Sequence, residues 1–348
     1  MKSIVSHTPG IIFAGIIAIA ASYLGGLLPV VGGPVFAILL GVLVSNLVGK
    51  PERVSAGAAF TAKRVLQWSI ILIGSSLSLS QILATGASSF FVMIITLTMA
   101  FLSSLLVGRA LGVPARLTVL IGAGTGICGG SAIAAVSPII AADEVEIGYS
   151  MSTIFAFNVI AVLLFPALGH LFGFSSSTFG MWAGTAINDT SSVVAAGYAY
   201  SNAAGDYATI VKLTRTTMII PISLLLAIVM TIRARRVDHR ATAVAGESGV
   251  RGVEEEVRRR ASIGRIFPWF ILGFVAMALA NTLHLFPPVM IHLFTGAGRF
   301  MIVMALAAIG LNANIRKMLG AGFKPLILGL AVWATVAVSS IIVQRLLV

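Results

Sequence analysis

Charge is scarce in this chain. Only 10% of its 348 residues are Asp, Glu, Lys or Arg while 58% are hydrophobic, a balance that excludes an ordinary water-soluble domain of this size. Acidic residues are the rarest of the charged set, 11 against 23 Lys and Arg. Cys128 is the only cysteine, so an intrachain disulfide is excluded and the redox compartment cannot be read from it. His170, His292 and Cys128 have no partners at metal-ligand spacing, which argues against a metal site. Also missing are G-x-S-x-G, H-E-x-x-H and any nucleotide-binding glycine loop. Neither an enzyme, a cofactor nor a primary pump is expected.

What the chain has instead is apolar length. Runs of the roughly 20 residues that a bilayer core requires recur from residue 9 almost to the end. They are continuous and rich in Ala, Gly, Leu and Ile, unlike the alternating segments of a membrane barrel. The expectation is an all-α polytopic membrane protein of 10 to 11 transmembrane helices, with spans at 9–28, 32–49, 62–83, 88–111, 117–140, 149–172, 178–200, 207–232, 266–284, 287–312 and 323–346. The first run ends without an A-x-A-like site and reads as a retained helix rather than a signal peptide. Residues 1–232 hold eight spans, 233–265 form a charged linker and 266–348 hold the last three.

The net charge of +12 sits in short loops, which is a topology signal and not a nucleic-acid surface. With the N-terminus inside, one side collects Lys50, Arg53, Lys63, Arg64, Arg109, Arg116, the linker, Arg316, Lys317 and Lys324. The other side holds Asp143, Glu144 and Glu146 or no charge. The reading is a multi-pass protein of a bacterial inner membrane with a cytoplasmic N-terminus, and an odd span count leaves Val348 outside. The linker carries Arg235, Arg236, Arg240, Glu254-Glu255-Glu256 and Arg258-Arg259-Arg260. It reads as a solvated connection, with attraction to anionic membrane lipid as the alternative.

Two interrupted segments carry the chemistry. Gly124-Thr125-Gly126-Ile127-Cys128-Gly129-Gly130-Ser131 and Gly184-Thr185-Ala186-Ile187-Asn188-Asp189-Thr190-Ser191 align without gaps at an offset of 60. Glycine weakens a helix and admits close approach of a ligand. A mid-membrane break leaves backbone groups that survive only against a cavity or neighbouring protein. The N-terminus of a half-helix offers N–H donors and partial positive charge to an anion, and Gly129-Gly130-Ser131 fits that role. The bland reading is a small-xxx-small helix contact through Gly122, Gly126 and Gly130.

Asp189 is the only carboxylate placed deep in a span. Burying it ionised costs about 2.5 to 3.5 kcal/mol on the milder scale, which protonation, a bound cation or the neighbours Asn188, Thr190, Ser191 and Ser192 would offset. It is a candidate coupling site, with a helix-pairing Asp as the alternative. Lys212 and Arg215 share a helix face and would balance an anion, pair with Asp206 or Asp189, or snorkel. Arg299 follows Thr295-Gly296-Ala297-Gly298 and marks a second candidate break, so the fifth span pairs either with the seventh or with the tenth. Ile73-Gly74, Leu83 and Gly86 recur 236 residues on as Ile309-Gly310, Leu319 and Gly322, a pattern that an inverted repeat predicts and that shared membrane composition also produces.

In Gly124 to Ala135, Gly184 to Ala196, Val211-Lys212-Leu213-Thr214-Arg215 and Met304 to Asn312, the chain resembles the YeiH-type family, whose members carry the label of sulfate exporters. That family is similar to the bile-acid symporter and cation/proton antiporter folds. The resemblance implies inverted repeats of five helices, crossed broken helices and a core domain moving against a panel domain. The expectation is a secondary transporter of a small anion, such as sulfate or a sulfonate, coupled to H+ or Na+. Thr125, Gly129, Gly130, Ser131, Lys212 and Arg215 would serve the substrate, and Asn188, Asp189, Thr190 and Ser191 the coupling ion. A cation/proton antiporter is the alternative, and a channel a further one. Small-residue faces are also compatible with a homodimer.

Overall fold

The computed structural model describes residues 2–27, 32–49, 51–241, 269–313 and 322–347. Among these the chain is all helical, with six helices long and apolar enough to cross a membrane and shorter apolar helices beside them. In order they are α1 (Lys2–Leu27), α2 (Gly32–Leu43, continued by a π turn, Val44–Val48), α3 (Glu52–Phe60), a π turn (Thr61–Val65), α4 (Leu66–Ile73), α5 (Leu79–Ala110), α6 (Ala115–Gly126) and α7 (Gly130–Val136). Then follow α8 (Glu144–Leu171), α9 (Ser176–Ala186), α10 (Thr190–Tyr200), α11 (Asn202–Thr217), α12 (Ile219–Ala241), α13 (Phe270–Thr282), α14 (Pro288–Asn312) and α15 (Phe323–Leu347). The starts follow local chemistry. Ser78 with Gln81 and Asp143 with Glu146 form capping boxes on α5 and α8, and Ser175 and Ser201 cap α9 and α11.

Contacts at the helix ends fix the path. The start of α1 meets α3 at Gly10 and Gly57, and the Asn46 amide donates to Ala313 O, so α1 starts and α2 and α14 end at one face. The end of α13 meets the end of α4 at the other, where Asn281 donates to Leu77 O and Leu79 N to Thr282 Oγ1. We call the first the basic face, because Arg53, Arg109, Arg116 and Lys324 lie at its helix ends.

All eleven segments read from the sequence are helical where described, but the fifth and the seventh do not cross. Val113, Pro114 and Leu117 before and within α6 line the same cavity as Asp143, Val145 and Glu146 beyond α7. The absent side chain of Gly124 leaves room that Ile133 of the returning arm fills, 3.1 Å from where a Cβ would sit. Thus α6 and α7 form a re-entrant hairpin from the basic face. At the far face Ser176 Oγ and Ser201 Oγ are 2.9 Å apart and the Tyr200 hydroxyl donates to Phe174 O, so α9 and α10 form a second hairpin from the opposite side. Crossed broken helices, implied by the resemblance, are therefore replaced by two opposed hairpins. Because the first returns, Asp143, Glu144 and Glu146 lie at the basic face and not opposite it. α14 is continuous, so Arg299 marks no break and the fifth segment pairs with the seventh.

The boundaries moved elsewhere too. The third span starts at Glu52 rather than 62, which places Lys63 inside it. α12 runs to Ala241, so residues 233–241 of the expected linker are helical, while 242–265, Lys50, Arg316 and Lys317 lie outside the described residues.

The helices sort into two groups. One buried cluster joins α1, α2, α3, α4, α13 and α14, with α10 and α11 contributing at its border. Two more join α5, both hairpins, α8, α11, α12 and α15. The groups are inverted repeats. A Cβ on Gly74 would lie 2.5 Å from Phe274 O and 3.2 Å from the Met277 side chain, and one on Gly310 would lie 2.4 Å from Ile38 O and 2.9 Å from Gly41. Adding 236 to 38, 41 and 74 gives 274, 277 and 310. The two sets of contacts are therefore the same contact made twice, in helices running oppositely.

Candidate functional site

The two hairpin tips meet inside the second group. Gly129, at φ +66°, lies so close to Asp189 that a Cβ on it would be 3.1 Å from the Asp189 Cβ. A left-handed glycine is what lets the first tip turn there, since any other residue would be strained and would push into the second tip.

Each first arm ends with carbonyls that no intrahelical donor can reach. Lys212 and Arg215, both fully buried on α11, satisfy them. Lys212 Nζ donates to Ile127 O at 3.0 Å and to Ile187 O at 2.9 Å. Arg215 donates from Nε to Gly126 O at 2.6 Å, from Nη2 to Thr125 O at 3.1 Å and from Nη1 to Thr185 O. Residues 127 and 187, like 125 and 185, differ by the offset of 60, so each cation grips the same position in both hairpins. The two charges also face the negative ends of two helix dipoles.

The return arms start on the other side of this junction. Asp189 caps α10: its Oδ2 accepts from Ser191 N at 3.0 Å and from Ser191 Oγ, while its own N–H donates to Asn158 Oδ1 at 3.2 Å. Among the described residues no hydrogen-bond partner falls to Oδ1. A cavity of about 390 Å³ lies here, between the two helix groups. Gly130, Ser131, Asp189, Thr190, Ser191 and Ser192 line it from the hairpins, Met151 and Asn158 from α8, and Lys63 and Gln67 from the third span. Met151 and Asn158 stand about 10 and 21 Å along α8 from the basic face at 1.5 Å per residue, so the cavity occupies that half of the protein. The π turn at Thr61–Val65 carries Lys63, a distortion that often marks a functional position.

Of the residues expected at the substrate, Gly130 and Ser131 line the cavity and Gly129 stands behind it, whereas Thr125, Lys212 and Arg215 do not reach it. The last two pair with neither Asp206 nor Asp189, and all their hydrogen bonds run to main chain. Asp189, Thr190 and Ser191 are at the cavity. Asn188 is buried in the tip, and both its side-chain polar atoms, like Thr125 Oγ1, lack partners. Lys63, Gln67, Asn158 and Ser192 escaped the sequence reading as site residues. The offset of 236 held a signal for Lys63, because it pairs with the other intramembrane basic residue, Arg299.

The sequence profile of the family described as "Conserved hypothetical protein 698" matches residues 9–329. A UPF0324 membrane protein of Clostridium tetani is 39% identical over the whole of this chain and 99% of its own. A second, FN0533 of Fusobacterium nucleatum, is 37% identical over 97% of both chains, and a third, of Streptococcus mutans, 38% identical over 97% of this chain and 96% of its own. The chain belongs to the UPF0324 membrane protein family. The UPF0324 names state a membrane location, which the apolar helices bear out. They carry no cargo, so the chemistry of the UPF0324 site rests on the cavity itself.

Proposed function

We propose that this protein is a secondary transporter that moves a small anion by alternating access of the cavity at the hairpin tips. The observation that carries the reading is the pair of opposed hairpins whose tips meet at Lys212 and Arg215. It places the start of α10 and a row of hydroxyls on a cavity between two inverted groups of helices, the arrangement from which one group can move against the other. The charge balance favours an anion. Lys63 lines the cavity and Lys212 and Arg215 stand behind the tips, against the single carboxylate of Asp189. Ser131, Thr190, Ser191 and Ser192 supply donors suited to an oxyanion such as sulfate or a sulfonate, in line with the YeiH-type resemblance. Asp189, with one oxygen held and the other open, suits a coupled H+ or Na+. The excess of Lys and Arg puts the basic face, and the N-terminus, in the cytoplasm of a bacterial cell.

The test is thermal stabilisation of the purified protein by sulfate, sulfonates, thiosulfate, carboxylates, sodium and pH. A shift with one anion class that shrinks in Lys63→Gln supports the reading and names the substrate. Shifts with sodium or pH and none with any anion replace it with a cation/proton antiporter, the alternative that the open Oδ1 of Asp189 favours.

A further inference from the structure

The inverted repeat assigns a role to a residue outside the cavity. Sequence positions 236 apart correspond through three helix pairs. Ile38, Gly41 and Gly74 map onto Phe274, Met277 and Gly310 by contact. The end contacts agree: Asn46 donates to Ala313 O at one face and Asn281 to Leu77 O, 236 residues before Ala313, at the other. Further along, Ser104 bonds the first arm of one hairpin through Thr118 O, and Ser340, again 236 residues on, bonds the first arm of the other through Thr185 Oγ1. Within this register Lys63 corresponds to Arg299. Lys63 stands eleven residues into its span from the basic face, counting from Glu52, and Arg299 eleven residues into α14 from the far face, counting from Pro288. α14 has no π turn, so the two side chains differ by at most about one residue's rotation, 100°.

Arg299 does not line the cavity in this structure, and its Nε is buried without a partner. A guanidinium nitrogen left so is costly, and a group that accepts from it in another state would repay the cost. The tips are held as one unit by Lys212 and Arg215, so a shift of that unit toward the far face leaves Lys63 and approaches its counterpart. We propose that Arg299 is the cation that the transported anion meets from the first helix group when the tips face the far side, as Lys63 is when they face the basic side. This rests on the transport reading above.

The test uses the full chain with Cys128→Ala and either Lys63→Cys or Arg299→Cys, in everted and right-side-out membrane vesicles. The probe is the impermeant anion sulfonatoethyl methanethiosulfonate, with Arg345→Cys as a far-face control. Modification of Arg299→Cys from the far face and Lys63→Cys from the basic face, each slowed by sulfate or a sulfonate, is the expected result. An Arg299→Cys protein inert from the far face while Arg345→Cys reacts overturns the assignment and leaves Arg299 a packing role. The two failures are distinguishable: protection of Lys63→Cys with an inert Arg299→Cys sinks this inference alone, whereas sided labelling that no anion slows sinks the anion reading with it. Should the cysteine variants not fold, Gln variants carry the test. With radiolabelled sulfate in oriented vesicles, Arg299→Gln raises the half-saturation concentration at the far face about tenfold and Lys63→Gln does so at the basic face, the loss of one charge-assisted hydrogen bond in each case. Equal effects at both faces overturn the pairing, and Arg299→Lys should restore most of the loss.

Discussion

At the scale of single residues, two buried cations are spent on backbone. The segments Thr125-Gly126-Ile127 and Thr185-Ala186-Ile187 would each leave carbonyls bare in a medium without water, and five hydrogen bonds from Lys212 and Arg215 cover them. Lys212→Met strands Ile127 O and Ile187 O, and a loss on the order of 2–4 kcal/mol is expected, read as a lower melting temperature in detergent. Asp189→Asn should behave differently. Asn caps a helix nearly as well as Asp, so the fold should hold to within about 0.5 kcal/mol, while proteoliposomes should lose the dependence of flux on the coupling ion. An Asp189→Asn protein that keeps full coupled flux would remove the coupling role. The sequence made Asp189 legible, as a lone carboxylate in an apolar span. It hid the work of Lys212 and Arg215, because reasoning from side-chain pairs looks for an acidic partner and theirs are main-chain oxygens.

At the scale of elements, the hairpins decide the topology. Glycine and polar clusters announced both breaks at the right residues, yet a broken crossing helix and a re-entrant hairpin have the same local composition. The segment 117–140 is long enough to span at 1.5 Å per residue, so length could not separate the two. The clue was charge: Asp143, Glu144 and Glu146 cap α8 at the same face as Arg116. Glu144→Cys and Arg116→Cys should therefore react with an impermeant thiol reagent from the same face of oriented vesicles, and reaction from opposite faces would restore the crossing helix. Gly129→Ala tests the turn itself. At φ +66° and 3.1 Å from the Asp189 Cβ, it should cost about 1–2 kcal/mol in backbone strain alone and weaken anion binding by separating the tips.

At the scale of the whole molecule, the repeat is visible in sequence as scattered small identities and becomes convincing only through its contacts. Gly74 and Gly310 each let a neighbouring backbone approach, Phe274 O in one case and Ile38 O in the other, at 2.5 and 2.4 Å from a would-be Cβ. Gly74→Val and Gly310→Val should therefore destabilise the first helix group to a similar degree, by roughly 1–3 kcal/mol or more from overpacking. Markedly unequal losses would mean that the two halves are not equivalent supports.

The hairpins have an electrical consequence. Their first arms, α6 and α9, are 12 and 11 residues long, about 18 and 16 Å at 1.5 Å per residue, and each enters from its own side and stops at the tips. Where water follows them in, the membrane voltage is not spread over a full bilayer thickness but falls across the few residues between Gly129 and Asp189. An ion moving with these tips then senses most of the field, about 2.3 kcal/mol per elementary charge per 100 mV. A short displacement of one uncompensated charge would register as a measurable current.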